Sequence, residues 1–381
     1  MGAATLDPLR LGTVPVGRRF LFAERRRAAL TVLGVAASLL LVLLLGGIFA
    51  GAIERVTFYI RTSPASVFVS QAGVKTMHMS ASTLPADTAD RLRSVPGVAW
   101  VSSIGLASGS VAGPRGRQLT YLIGYDPTSG RGGPAVLTAG RTPRSGEAVL
   151  DEQAADTLGV GLGDTVTVLG SRLRVAGLST GGSSITNTTV FTTAEDFAGV
   201  RGSAPTSYVL LGAERGLEPD VLAARVRAAL PDDTVQTREQ FAASEARIVT
   251  DMSANLLRLM STIGLLIALA VIALGLMTAT LSRLRDFAVL KALGASTLRL
   301  AGAVAVQVLW TVALAAVAAV VLGRLLAWAL PLVAPAIQIR ITAAAAVQLA
   351  ASALVVGLLA ALWPLRRIAT LDAATAFRES R

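Results

Sequence analysis

The side chains able to do chemistry in this 381-residue chain are few, and the most conspicuous run is Met77-His78-Met79, which holds the single histidine. Thioether and imidazole can both ligate haem iron, so the run invites a haem or metal reading. Three consecutive residues on a strand cannot all face one metal, however, and no Cys, second His or carboxylate cluster lies beside them in the sequence. Surface or packing use is therefore expected. Asp232-Asp233 follows Pro231 and reads as a turn, and one histidine without a neighbouring motif makes no catalytic set. No G-x-x-x-x-G-K-S/T loop exists, because neither Lys75 nor Lys291 follows a glycine. Gly181-Gly182-Ser183-Ser184 lacks the lysine and reads as a flexible turn. No catalytic, cofactor-binding or metal-binding residue is expected in this chain.

What would position any working surface is a set of long apolar stretches: 28–52, 256–281, 301–330 and 341–363. Each exceeds the roughly 20 apolar residues needed to cross a hydrocarbon core about 30 Å thick, and only helices satisfy their backbone there. Four membrane helices are expected, with a large polar block between the first and the second. A mean hydropathy of +0.61 and 53% apolar residues fit a membrane protein. The first stretch ends in Ala50-Gly51-Ala52, which resembles a signal-peptidase site, but it is longer than the roughly 7 to 15 residues of a signal h-region and reads as a retained span.

Charge gives the topology. Residues 1–27, 282–300 and 364–381 carry fourteen basic and five acidic residues, whereas Ile53–Asn255 carries eighteen basic and nineteen acidic. Basic residues stay cytoplasmic, which puts both termini and the 282–300 loop in the cytoplasm and the large block outside. The net charge of +11 is thus topology, not a nucleic-acid footprint. The chain has no cysteine, so the external block must be held by its own core.

Within the external block, 53–236, strand-like runs at 67–69, 97–104, 119–125, 148–150, 165–169, 173–178, 190–192 and 208–211 alternate with helical runs at 84–95, 151–158, 193–200 and 219–230. One α/β domain is expected. From Thr237 to Leu281 there is no proline, and no glycine before Gly264, so a helical stalk over 237–255 should run unbroken into the second span. A short external loop, 331–340, joins the third span to the fourth.

The sharpest local pattern is Ser282 to Ser296. Leu284, Phe287, Leu290 and Leu293 recur every three residues between charges, and Gly294 supplies a helix stop. The run Arg283, Asp286, Phe287, Ala288, Val289, Leu290, Lys291, Ala292, Leu293, Gly294, Ala295 resembles the cytoplasmic loop of the FtsX-like ABC transporter permeases of the MacB and DevC type, with Asp286 where glutamate is common. Leu137-Thr138-Ala139-Gly140-Arg141-Thr142-Pro143, then Gly146 to Leu150, Leu158-Gly159 and Gly163 to Val166, resemble the MacB-like external core domain. The tail from Leu371 to Arg378 is similar to the family's, with Ala373 where proline is usual.

The resemblance implies a non-catalytic permease subunit in the bacterial plasma membrane, working as a homodimer with a separate ATPase that binds ATP and Mg. It makes Arg283, Asp286, Phe287, Leu290, Lys291, Leu293 and Gly294 the expected ATPase-coupling residues, together with the amphipathic segment Val16–Arg27. Polar groups in the spans are scattered, and Arg324 falls near an interface where snorkelling suffices. Mechanical transmission is expected rather than conduction. Its output is export of an amphiphilic or peptide-like substrate or, alternatively, activation of an external partner such as a cell-wall hydrolase.

Overall fold

The computed structural model describes residues 25–183, 187–202, 206–281, 289, 296–333 and 338–369. The chain divides into two compact units: Phe49–Ala254 with Leu330–Gln338, and Met1–Ile48 with Asn255–Ala329 and Ile339–Arg381.

The second of these contains most of the four stretches that are long and apolar enough to cross a bilayer, Ala28–Thr62, Ala254–Leu281, Val304–Leu332 and Ala343–Trp363. They belong to helices α1 (Arg25–Thr62), α6 (Arg238–Leu281), α7 (Thr297–Val333) and α8 (Ala343–Ala369). Leu39, Ile272, Val308, Val312 and Ala353 form the centre of their packing. Without a hydrophobic driving force between helices in lipid, close approach over small residues must supply the contact. Gly264 does so: a Cβ there would stand 2.4 Å from Val42 Cγ2. Hydroxyls inside the helices bond their own backbone four residues back, as in Ser38 to Gly34 O, Thr280 to Leu276 O and Thr311 to Gln307 O. They therefore add little polarity between the helices.

The other unit is a ten-stranded mixed sheet with helices on both faces. Its elements are β1 (Val67–Ser70), α2 (Thr88–Arg93), β2 (Val98–Gly113), β3 (Gly116–Tyr125), β4 (Leu137–Gly140), β5 (Glu147–Asp151), α3 (Glu152–Leu158), β6 (Thr165–Val168), β7 (Ser171–Ser179), β8 (Asn187–Thr193), α4 (Ala194–Arg201), β9 (Tyr208–Ala213), α5 (Pro219–Ala229) and β10 (Thr234–Thr237). The strand order is β10-β1-β9-β2-β3-β8-β5-β7-β4, and β6 pairs with β2 and β7.

Alternation explains why β1 and β9 carry apolar residues on both faces. Val67, Val69, Val209 and Leu211 pack towards α2 and α5, whereas Phe68, Tyr208 and Leu210 point the other way, onto Ile60 of α1 and Phe241 of α6. Period-two strands covered on both faces lose the polar half of their pattern. The same split separates Leu122, Leu150 and Val190, which pack with α3 and α4, from Ile123, Val149 and Phe191.

Several boundaries differ from those the sequence suggests, each for a local reason. Strand β2 runs on through Gly105–Gly113, where Gly, Ser and Ala give no hydrophobic alternation. Glycine is required there because Phe197 and Leu169 lie against the strand; a Cβ would be 2.3 Å from Phe197 Cε1 at Gly105 and 2.5 Å from Leu169 Cγ at Gly109. Helix α2 starts at Thr88 rather than Leu84, since Leu84 forms a β-bridge to Thr206. Strands β4 and β10 have four residues each, too few and too weakly apolar for a pattern reading. Helix α1 does not stop at Ala52 but continues to Thr62.

Thr237 ends β10 and also begins α6. Its Oγ1 accepts from Gln240 N at 3.3 Å, and Gln240 Oε1 accepts from Thr237 N at 3.2 Å, a capping box written in Thr237-Arg238-Glu239-Gln240. Beside β5, Arg141 holds Glu147 with two bonds of 2.7 Å, while Arg144 N donates to Glu147 Oε2 at 3.0 Å.

Two tests follow from these contacts. Gly264→Val should overpack the approach to Val42 and lower stability by about 1 to 3 kcal/mol, read as a reduced melting temperature in detergent or nanodiscs. The Arg141 guanidinium holds the Glu147 carboxyl below its ordinary value. A depressed carboxylate adds stability above the unfolded-state pKa of about 4.3 and loses it as pH falls through the folded value. Arg141→Ala should therefore destabilise the domain at neutral pH and make its stability less sensitive to acid below about pH 4.3.

Candidate functional site

The residues expected to couple to an ATPase, Arg283, Asp286, Phe287, Leu290, Lys291, Leu293 and Gly294, lie outside the described residues, as does the Val16 to Glu24 part of the amphipathic segment. Helix α6 ends at Leu281 before them, and α7 begins at Thr297 after them.

The run Met77-His78-Met79 forms a bend, not a strand, and each residue has a separate environment. Met77 is buried in the core, and Met79 is exposed. His78 meets a carboxylate 167 positions away: its Nδ1 stands 2.6 Å from Glu245 Oε1. Glu245 is 1% exposed and belongs to α6. Its Oε2 accepts from Met77 N at 2.7 Å and its Oε1 from His78 N at 3.3 Å. A buried carboxylate is tolerated when donors converge on it, and here the bend between β1 and α2 supplies them. The loop is held again from the sheet, since the Tyr208 hydroxyl donates to Thr76 O at 3.1 Å and the Tyr121 hydroxyl to His78 O at 3.3 Å. Burial, and then nearby Glu245, raises the pKa of both tyrosines, so each remains a donor at neutral pH.

This latch closes one end of a cleft of about 190 Å³. Ile248, Val249 and Met252 on α6 form an apolar wall, Tyr59 and Arg55 on α1 another side, and Gly182 and Asn187 a polar edge. Charges around the edge are engaged by neighbours. Arg55 donates to Gln153 Oε1 at 3.1 Å and to Ser183 O at 2.8 Å. Asp151, 1% exposed, accepts from Gly182 N at 2.8 Å, from the Ser183 hydroxyl and from Gln153 N at 3.1 Å, which caps α3. The Gly181–Ser183 turn is thus organised around a carboxylate. It is no phosphate cradle.

No group of three or more His, Cys, Asp or Glu residues is placed to hold a metal among the described residues. Sequence reading missed Glu245, Tyr121 and Arg55 as members of one site. A signal existed for the first. Phe241, Ala242, Glu245, Ile248, Val249 and Met252 lie on one face at helical spacing, and an acid in such a stripe needs a partner brought by the fold. In the membrane-helix unit, a second cleft of about 250 Å³ brings Ser261, Gln348 and Ser352 together with Gly46, groups that looked scattered along the sequence.

Removing the latch carboxylate leaves the Met77 and His78 amides and the imidazole without their acceptor. Glu245→Ala should cost about 3 to 5 kcal/mol and Glu245→Gln clearly less, measured by thermal unfolding of the full chain. Equal melting temperatures for Glu245→Ala and the unaltered chain would show that the latch does not hold the loop.

Comparison with known proteins covers nearly the whole chain. Residues 28–243 match the family described as MacB-like periplasmic core domain, and residues 258–373 the family described as FtsX-like permease C-terminal. Two relatives named as uncharacterized ABC transporter permeases, from Mycobacterium tuberculosis strains CDC 1551 and H37Rv, are each 28% identical over 277 residues, covering 71% of this chain and 74% of theirs. Among solved structures, the extracellular domain of the noncanonic ABC-type transporter YknZ from Gram-positive bacteria aligns with a TM-score of 0.37 at 14% identity, over 45% of this chain and 98% of that one. The periplasmic region of MacB from Actinobacillus actinomycetemcomitans aligns with a TM-score of 0.37 at 15% identity, over 49% and 94%. Four apolar helices flanking a large α/β domain, with both family matches in the expected order, identify a multi-pass membrane protein: the chain belongs to the FtsX-like, MacB-type family of ABC transporter permeases.

Proposed function

We propose that this permease couples ATP hydrolysis by a separate ATPase subunit to movements of its large domain outside the membrane, and that these movements export an amphiphilic or peptide-like substrate. The observation that carries the proposal is α6. One unbroken helix of 44 residues begins with a capping box at the sheet edge, buries Phe241 and Glu245 in the sheet domain's core, and continues as an apolar span to Leu281. The expected coupling run Arg283 to Ala295 follows directly in the chain. A shift of that run along the helix axis would be delivered to residues that pack on the sheet, because helix hydrogen bonds resist axial compression.

Charge distribution supports cytoplasmic termini and a cytoplasmic 282–300 loop. In this arrangement Arg283, Asp286, Phe287, Leu290, Lys291, Leu293 and Gly294, with Val16–Arg27, dock in the ATPase, which holds ATP and Mg. A homodimer brings two such helix sets to two ATPase subunits. Export, rather than partner activation, is favoured by the cleft beside α6, which pairs an apolar wall with a polar end in the manner of a small-molecule site.

The test is co-expression with the ATPase encoded nearest the gene, purification through a tag on the permease, and ATP hydrolysis in nanodiscs with and without amphiphiles. Co-purification and amphiphile-stimulated hydrolysis are expected, with loss of co-purification in the Phe287→Asp, Leu290→Asp double variant. An assembled complex indifferent to amphiphiles but bound by an external hydrolase would replace export with signalling. Co-purification unchanged by the double variant would remove the coupling assignment.

A further inference from the structure

The cleft beside α6 has a specific chemical bias. Its polar end is His78, whose side chain is 23% exposed while its partner Glu245 is 1% exposed. Nδ1 faces the carboxylate, and no partner for Nε2 is present among the described residues; in the tautomer that carries its proton on Nδ1, Nε2 is an acceptor. This is a histidine held in orientation by a buried acid, with its second nitrogen turned away from that acid. The edge of the Tyr121 ring stands against it at 4.6 Å between centroids and restrains the plane of the imidazole.

The guanidinium in the cleft is already engaged, and the carboxylate already holds its donors. The Arg55 guanidinium bonds Gln153 and the Ser183 carbonyl and lies close enough to Asp151 to feel its charge, and Glu245 accepts three donors. An anionic head group would meet a buried carboxylate and an arginine already engaged, and would have to be desolvated beside them. An uncharged hydrogen-bond donor meets one open acceptor. The apolar side of the cleft is Ile248, Val249 and Met252, on successive turns of one helix, and Met252 is 71% exposed. Met252 stands two residues before Ala254, where the apolar span on that helix begins.

Size then decides how much of a ligand enters. Sites that enclose a drug-sized molecule run to roughly 300 to 1,000 Å³. A cleft of about 190 Å³ takes one end of such a molecule and leaves the remainder along the α6 wall.

We propose that this cleft binds the uncharged, hydroxyl-bearing end of an amphiphile, with the ligand hydroxyl donating to His78 Nε2 and its apolar body lying on Val249 and Met252. The site deepens the export reading, on which its purpose rests, but its chemistry can be tested apart from the ATPase. The ligand reaches it either from the bilayer, as a neutral lipid, or from the aqueous side, as a soluble amphiphile.

The probe is a monoacylglycerol bearing a diazirine in its chain, applied to the full chain in nanodiscs and mapped by mass spectrometry. In one arm it is built into the bilayer, and in the other a short-chain form is added to the solution. Labelling within Glu245–Met252 that unlabelled monododecanoylglycerol competes away is expected in at least one arm, and the arm names the source. Dodecyl phosphate, with the same chain and a charged head, should compete about tenfold less well. His78→Asn keeps a donor to Glu245 but removes Nε2, and should weaken competition by about tenfold. Met252→Asp alters an exposed position, so it should weaken competition further with an unchanged melting temperature. Labelling unaffected by either variant, or equal competition by the phosphate, would overturn the proposal. A permease that assembles with its ATPase yet shows no cleft labelling would lose this site and keep the transport reading; labelling without any ATPase association would do the reverse.

Discussion

Phe241 packs between Phe68 of β1 and Tyr208 of β9, with ring centroids 5.0 and 5.8 Å away, and this aromatic contact anchors the beginning of α6. Much else depends on it. The contact buries one face of the sheet, which in turn lets β1 and β9 be apolar on both sides. It aims the following turns of the helix, so that Glu245 arrives beneath the 76–78 bend and Ile248 to Met252 face the cleft. Tilted or offset rings of this kind contribute about 0.5 to 1.5 kcal/mol each beyond their buried area. The larger effect is geometric: a helix is stiff, so fixing its first two turns places the next turns, Glu245 to Met252, within the sheet unit.

Glu245 turns that mechanical contact into a specific one. An apolar residue in its place would pack, but it would leave Met77 N and His78 N without acceptors. The carboxylate therefore ties a loop between β1 and α2 to a helix that begins after β10, joining two segments far apart in the sequence. Such a buried polar network specifies one arrangement of loop and helix when all its members are satisfied. Among the described residues no partner meets His78 Nε2, and that side chain is 23% exposed.

How much of this was legible depended on whether the signal was local. The four apolar stretches and the α/β alternation could be read because each is contiguous and carries its own period. The strand half Gly105–Gly113 could not, since its glycines are dictated by Phe197 and Leu169, which arrive from other elements. Thr237 was read as the first residue of a helix, and it also closes a strand whose partner lies at Val67. The site was the least legible part. Met77-His78-Met79 was noticed for its residue types, but its chemistry is set by Glu245 and Tyr121, and only sheet register and the direction of α6 bring these together.

Strand β1 has one consequence for how the protein is made. It is the first of the described strands, yet its neighbours are β9 and β10, the last two of them, with Val67 opposite both Leu211 and Thr237. During synthesis the sheet cannot close until the ribosome has released residues up to the start of α6, and by then α1 is long complete. The nascent domain therefore waits with one strand unpaired and its inner faces uncovered, and the segment that ends the wait is the same one that begins the second membrane helix.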